Sequence, residues 1–377
     1  MTRRERLLCT LQGRTVDRPP VSFYEIDGSQ DTANPDPFNI FHSPDWEPVI
    51  KFAREKSDRM VSCWITMEYP ADDPLQALST ESNWEDPNGS MYFIKTIKVG
   101  DRLLTNRTRR DRNVNTFWTE EHYLKDEGDI KAFLALPPRL EPIKPDVSKF
   151  LSLERSIGES GILILETPDP LCMAAELFSM DTYMIMAMTE TKLFRNLLDR
   201  MFQELLIRIE LTAQALPGRL WRIYGPEYAA PPYLPPEMFK KYVTAYDKEL
   251  VKIIQKSGGY VRLHAHGNIR DILDDIVLTG CDGLDPIEPP PQGDVKLREV
   301  RAWYGDRLVL FGNLEACDLE NLNTREFEKK IVTALEEGTG GRGFVLMPSS
   351  GPYGRKLNPR VLENYQAMVR LAEGFTR

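Results

Sequence analysis

The sequence predicts a (β/α)8 TIM barrel, and three observations predict it. Apolar segments and amphipathic segments alternate along the chain, most regularly after residue 138. The apolar segments are near-continuous, as parallel strands buried on both faces must be. No Gly-x-Gly-x-x-Gly follows the first of them, which argues against a doubly wound dinucleotide-binding sheet. Six βα units are legible, and the length of 377 residues suits eight units in one domain.

The elements follow in order. "PPVSFYEI" at 19–26 reads as a strand, and "SPDWEPVIKFAREKS" at 43–57 as a helix with a Ser-Pro start. Between about residues 60 and 136 the rhythm changes. "MYFIKTIKV", "RLLTNRTR" and "NTFWTEEHY" alternate like antiparallel strands, joined by "DPNGS" and "VGD" turns. This stretch is expected to be a β-hairpin insertion in the N-terminal third of a single domain, 1–377. The alternation then resumes with the strands "GILILET", "LWRIYG", "YVRLHAHG", "CDGLDPI", "RLVLFGN" and "GFVLMP". Helices are predicted at about 189–216, 235–257, 268–279, 294–304, 324–337 and 358–374, several opening on Pro, Asn or an early acid and closing on Gly.

Charge narrows the function classes. With 48 Lys and Arg against 57 Asp and Glu, the net charge is −9, the wrong sign for a nucleic-acid binder. The basic run "NRTRRDR" at 106–112 reads as a solvated hairpin. No apolar run of about 18 residues is present, so no membrane span is expected. The five cysteines, at 9, 63, 172, 281 and 317, have irregular spacing and no Cys-x-x-Cys. That suits a reducing cytoplasm, and the basic N-terminus lacks the apolar core of a secretory signal.

In such a barrel the chemistry sits where strands end. Those ends are polar: Tyr24, Glu25 and Asp27; Glu166 and Asp169; Tyr224, Glu227 and Tyr228; His264, His266 and Asn268; Asp285 and Glu288; Asn313, Glu315 and Cys317; Ser349, Ser350, Tyr353 and Arg355. Half of the four histidines fall in the triplet His264–His266. Residues i and i+2 of a strand share a side, so both imidazoles would face one way if the strand extends that far. Two imidazoles and a carboxylate can hold a divalent metal, zinc foremost, with positions left open for substrate. Glu227 and Glu315 are the candidate carboxylates, with Asp285 behind them. Alternatively, one histidine is a hydrogen-bonded structural residue and the other orients substrate. Glu227 and Glu315 are also the candidates to move a proton, with Tyr224 beside them. Tyr24, Glu25, Glu166, Asn313, Ser350 and Tyr353 are candidates to line the substrate, and Arg355 to hold its carboxylate or phosphate. Cys317 reads as ordinary packing.

At these segments the chain resembles the uroporphyrinogen decarboxylase superfamily. The resemblance runs from "TRRERLLCTLQGRTVDRPPV" through "PPEMFKKYVTAYDKELVKIIQKSGGYVRLHAHGN" to "CDGLDPIE", "RLVLFGNLEACDL" and "GFVLMPSSGPYGRKLNPRVLENYQAM". It implies a (β/α)8 barrel and two chemistries. The decarboxylating branch holds its substrate with an Arg-rich loop after the first strand. Here that loop reads "VSFYEIDGSQD", without arginine, which argues against a polycarboxylate tetrapyrrole. The methyltransferase branch moves a methyl group to or from a corrinoid and binds zinc through a His-x-Cys and a later Cys. His264 falls on that histidine, His266 on the first cysteine and Ser350 on the second. The resemblance therefore implies a metal-assisted methyltransferase or demethylase on a small-molecule substrate, with His264 and His266 as metal ligands; Glu227, from the strand-end carboxylates, is the expected third. No Asp-x-His-x-x-Gly segment is present, so a corrinoid would arrive on a partner protein. A homodimer is compatible with the resemblance. The alternatives are a decarboxylase or lyase acting on a small non-porphyrin substrate, and a non-catalytic ligand-binding barrel.

Overall fold

A computed structural model describes residues 1–70 and 74–375. Its strands, in chain order, are β1 (Arg59–Cys63), β2 (Thr66–Glu68), β3 (Ser79–Glu85), β4 (Met91–Val99), β5 (Arg102–Arg110), β6 (Phe117–Glu121), β7 (Lys144–Asp146), β8 (Gly161–Pro168), β9 (Leu220–Tyr224), β10 (Tyr260–Ala265), β11 (Gly283–Pro286), β12 (Val309–Leu314) and β13 (Phe344–Pro348). Among the described residues, β1 and β8 to β13 form one seven-stranded sheet in sequential order, every pairing parallel. Sequential parallel order requires each connection to cross over, and the amphipathic helices do so on the outside. All residues of β11 and β13 are buried, as are most of β8, β9 and β10. This is why their sequences run apolar without alternation.

The sheet curls almost to closure. Leu346 of β13 donates its N–H to Pro20 O at 2.9 Å, and Ser22 N returns a bond to Leu346 O at 3.0 Å. On the other side, Asp58 N donates to Val21 O at 2.7 Å, just before β1. The expected first strand at 19–26 is therefore reduced to one bridge at Val21. The chain turns immediately afterwards, and Tyr24 adopts φ 57°, a conformation no strand accommodates. An eight-stranded ring in the strict sense is not formed among the described residues. Residues Arg59–Cys63, which the sequence groups with the hairpins, supply the first strand of the parallel sheet. Arg59 and Ser62 break the apolar run that would have revealed it.

The helix Arg3–Leu11 opens with a Thr2–Glu5 capping box and closes the N-terminal end of the sheet. Leu7 and Leu11 pack there with Met60, Ile162, Leu220 and Val309. Buried Asp58 ties this plug down. It accepts from Arg6 Nη1 at 2.6 Å, Arg18 Nη1 at 2.7 Å and the Val21 amide at 2.8 Å. Asp58→Asn keeps the shape but removes the charge that two guanidinium groups share. It is expected to cost about 2 kcal/mol of stability, read as a lower urea midpoint at unchanged slope.

The strands β3 to β6 form a separate four-stranded antiparallel sheet, and β2 pairs with β7. Arg107 and Arg109, from the basic run, are ion-paired with Glu120 on this sheet's surface. Most predicted helices fall within a few residues of their expected bounds, for example Thr191–Ala215, Thr324–Gly338 and Arg360–Glu373. The helix expected at 235–257 is interrupted by a π turn at Lys240–Thr244. No helix among the described residues is long and apolar enough to cross a membrane.

Candidate functional site

Two arginines organise the interior of the sheet. Arg222 of β9 and Arg262 of β10 are register partners, and Glu166 of β8 is the partner of Arg222 on its other side. The Arg222 guanidinium donates through Nε to Glu166 Oε2 at 2.6 Å and through Nη1 to the Tyr24 hydroxyl at 2.6 Å. Ser62 Oγ of β1 donates to the other Glu166 oxygen at 2.6 Å. A buried ion pair of this kind survives only because its remaining polar atoms are also bonded. Tyr24 and Glu166, both expected to line the substrate, are thereby joined through a residue the sequence did not single out.

The second arginine supports the histidines. Arg262 Nε lies 3.0 Å from Asp285 Oδ1, an ion pair rather than an aligned hydrogen bond. Asp285 Oδ2 meets His264 Nδ1 at 2.8 Å. Burial would raise the Asp285 carboxyl, but the charges of Arg262 and His264 outweigh it and hold it down at about 2. An ionised Asp285 accepts, so His264 Nδ1 carries a proton and Nε2 is the remaining ring nitrogen.

His266 lies one residue beyond the end of β10 at Ala265, so the pleat does not extend to it. Its ring nevertheless meets that of His264 edge to face, with centroids 4.5 Å apart. His266 Nδ1 pairs with Glu288 Oε1 at 2.9 Å, and Glu288 Oε2 accepts from the Gly267 amide at 2.8 Å. Burial would lower the His266 imidazole, but the bond to Glu288 and the charges of Glu288, Glu227 and Asp285 raise it. The Glu288 carboxyl is lowered in return, against its own burial.

Glu315, immediately after β12, is buried and near this pair. Burial, then the charges of Glu288 and Asp318, push its carboxyl up to about 7. Ser349 Oγ donates to it at a long 3.4 Å, and the second carboxyl oxygen has no hydrogen-bond partner among the described residues. Glu227 occupies the short turn Pro226–Ala229 after β9, and its Oε2 accepts from the Gly225 amide at 3.1 Å. Gly225 has φ 113°, and a Cβ there would fall 2.2 Å from the Cys172 Cβ. Only glycine fits that turn. Tyr224 lies half-buried at the end of β9, with the Arg222 guanidinium 5.9 Å from its ring centroid.

The other expected residues are less convergent. Asn313 is the penultimate residue of β12 and half-buried, and Glu25 is exposed beside Tyr24. Ser350 Oγ donates to Gly351 O at 3.2 Å. Tyr353 is 62% exposed, and the Arg355 guanidinium donates to the carbonyls of Pro37 and Asn39, both at 2.9 Å. The sequence reading did not single out Arg222, Arg262 or Ser62, and it ranked Asp285 behind the glutamates. The available signal was two arginines inside apolar strands, each two residues before a named site residue and so on the same face.

Among the described residues, no three His, Cys, Asp or Glu side chains gather closely enough to hold a metal ion. The expected set of His264, His266 and Glu227 is not assembled. One nitrogen of each imidazole is taken by a carboxylate, and the Glu227 carboxylate is held by its own turn.

Comparison with known proteins fits this architecture. A methyltransferase from Methanosarcina mazei superposes over 99% of this chain and 98% of that one, at 17% identity and a TM-score of 0.63. At that identity the likeness establishes the fold alone. A sugar phosphate isomerase/epimerase from Parabacteroides distasonis covers 62% of this chain and 76% of its own at 12% identity, and its TM-score of 0.33 carries no argument. No curated protein matches the sequence. The family model described as uroporphyrinogen decarboxylase (URO-D) matches residues 156–374. That match covers more than half of the chain and takes in every strand of the parallel sheet after the first, and so the chain belongs to the uroporphyrinogen decarboxylase family.

Proposed function

We propose that the chain is a methyltransferase or demethylase that moves a methyl group between a small molecule and a corrinoid carried on a separate protein. The observation that carries this reading is the pair of carboxylate-braced imidazoles beside Glu315. In the demethylating direction the bond from methyl carbon to heteroatom breaks, and its electron pair stays on the heteroatom. That atom then needs a proton, and Glu315, poised near neutrality, can supply it. A corrinoid supplies the methyl acceptor when bound. His266, its charge favoured by Glu288, stabilises negative charge developing on the leaving atom, while Tyr224, Glu227 and Asn313 bound the substrate. The whole-chain likeness to a methyltransferase supports the reading, as does the absence of arginine from the loop after Pro20. The donor set offers two imidazole nitrogens without an assembled third ligand, so zinc has no part in this reading.

The test uses purified protein with free methylcobalamin and a panel of thiols and phenols. Acceptor-dependent loss of the methylcobalamin spectrum, absent in His266→Ala, is the expected result. No spectral change with any acceptor would overturn it. The raised Glu315 carboxyl also favours a second reading, a decarboxylase on a small non-porphyrin acid, because the carbanion left by CO₂ also takes a proton. Release of CO₂ without corrinoid distinguishes the two.

A further inference from the structure

At the end of the sheet away from the histidines lies a cavity of about 510 Å³. Residues 13–19, which follow the helix Arg3–Leu11, form one wall. Residues 339–344, which lead into β13, form another, and Phe375 also lines it. All of β13, roughly 16 Å of strand, separates this space from Ser349 and Glu315. The methyl-transfer reading uses none of these residues. Pockets that hold small molecules span about 300–1,000 Å³, and this one falls within that range.

Both walls are pinned by packing. Arg14 N donates to Cys9 O at 2.8 Å, and Arg342 N to Gly305 O at 2.7 Å. Gly341 and Gly343 have φ of 52° and 154°. Cβ atoms there would fall 2.3 Å from Gly305 O and 2.8 Å from Thr10 O, so only glycine fits and the wall stays bare backbone at both positions. Three guanidinium groups and one carboxylate line the cavity. Arg18 Nη1 is held by Asp58 and Arg342 Nη2 by Asp282, both at 2.7 Å. Asp17 accepts from Arg6 Nε and Nη2, also at 2.7 Å. That leaves Arg14, which is exposed and whose side chain has no hydrogen bond or ion pair among the described residues. It is a surplus positive charge in a chain of net charge −9. Its planar fork matches the paired oxygens of a carboxylate or phosphate. Val16, Pro19 and Phe375 add apolar surface to the same cavity.

We propose that this cavity binds a small organic anion, its phosphate or carboxylate head on Arg14 and its apolar body against Val16 and Phe375. The site is separate from the one at the strand ends, and nothing in it depends on which reaction is performed there.

Calorimetric titration of the full chain with phenyl phosphate, phenylacetate and neutral benzyl alcohol tests it, at about pH 7.5, where both acids are ionised. Saturable binding of at least one anion, and none of the alcohol, is the expected result. The relative affinity of the two anions tells which head group the cavity takes. Arg14→Gln should weaken binding about tenfold or more, as loss of a charge-assisted pair does. Arg14→Lys should weaken it less, since the charge stays and only the fork is lost. Phe375→Ala should weaken it through the apolar body. His266→Ala should bind as the wild type does, which separates this cavity from the imidazole pair. Because the Arg14 side chain is exposed and unbonded, its glutamine variant should keep the wild-type urea midpoint without ligand. Added phenyl phosphate or phenylacetate should then raise the midpoint of the wild type more than that of the variant. No saturable binding of either anion, unchanged affinity in Arg14→Gln or Phe375→Ala, or loss of binding in His266→Ala would overturn the proposal.

Discussion

Asp285→Ala is expected to cost about 3–5 kcal/mol of stability, because it leaves a buried guanidinium without its counter-charge. The Arg262 side chain is 3% exposed. It also meets the Met347 sulfur, 3.8 Å from Nη1, and the Phe311 ring, 5.1 Å from Cζ. Neither replaces a carboxylate. Asp285→Asn should cost less, since an amide oxygen still accepts from His264. The pair Asp285→Leu with Arg262→Met should recover much of the loss, because removing both charges also removes their desolvation cost. Urea midpoints of the three variants measure this. A single alanine variant as stable as the wild type would show that Arg262 is solvated, against its burial.

The same residue gives a pH signature. The Asp285 carboxyl, at about 2, lies below its unfolded value. Its contribution is therefore fully present above about pH 4 and lost as pH falls through about 2. Asp285→Asn should flatten the acid limb of the stability curve. It should also loosen the choice of His264 tautomer, because the neutral amide can face Nδ1 with either its oxygen or its NH2. Turnover should then fall in enzyme that is still folded, separating orientation of the imidazole from stability of the core.

Glu315→Gln is expected to lower turnover about 100-fold or more, the range of a lost general acid. Its carboxyl, at about 7, is half-protonated near neutrality. Wild-type kcat/KM should fall as pH rises through that value, and this limb should vanish in the glutamine variant. An unchanged limb would assign the titration to another group, with His266 the next candidate. Stability offers a control. Between the unfolded glutamate value and about 7 the native state holds the extra proton, so Glu315 makes stability decline with pH across that window. Glutamine removes the decline. A variant that loses turnover while becoming less pH-sensitive in stability identifies a chemical role, since misfolding would lower both.

How far the sequence could be read depended on the reach of each interaction. The runs "GILILET" and "GFVLMP" announce parallel strands because burial on both faces needs no partner to be legible. Helix bounds such as Thr324–Gly338 follow from local signals, an Asn323 cap and a following glycine pair. The end of "LHAHG" was marked as functional by its residue types alone. By contrast, Arg59–Cys63 is strand-like only through its neighbours in the sheet, and the strand read at 19–26 shrinks to one bridge at Val21. Arg222 meets Tyr24 from 198 positions away, a pairing no local pattern encodes.

The sequence by itself thus determined the parallel α/β architecture, the polar rim at the strand ends and the placement of two imidazoles on it. These rest on periodicity and residue type, which act within a few residues. Tertiary structure decided what those groups are. It ended β10 before His266 and gave each imidazole its own carboxylate, and among the described residues it gathered no three groups that could hold a metal ion. It also raised Glu315 toward neutrality through burial beside Glu288 and Asp318. Protonation state and ligand geometry depend on desolvation and on charges brought together from distant strands, and only the folded chain fixes those distances.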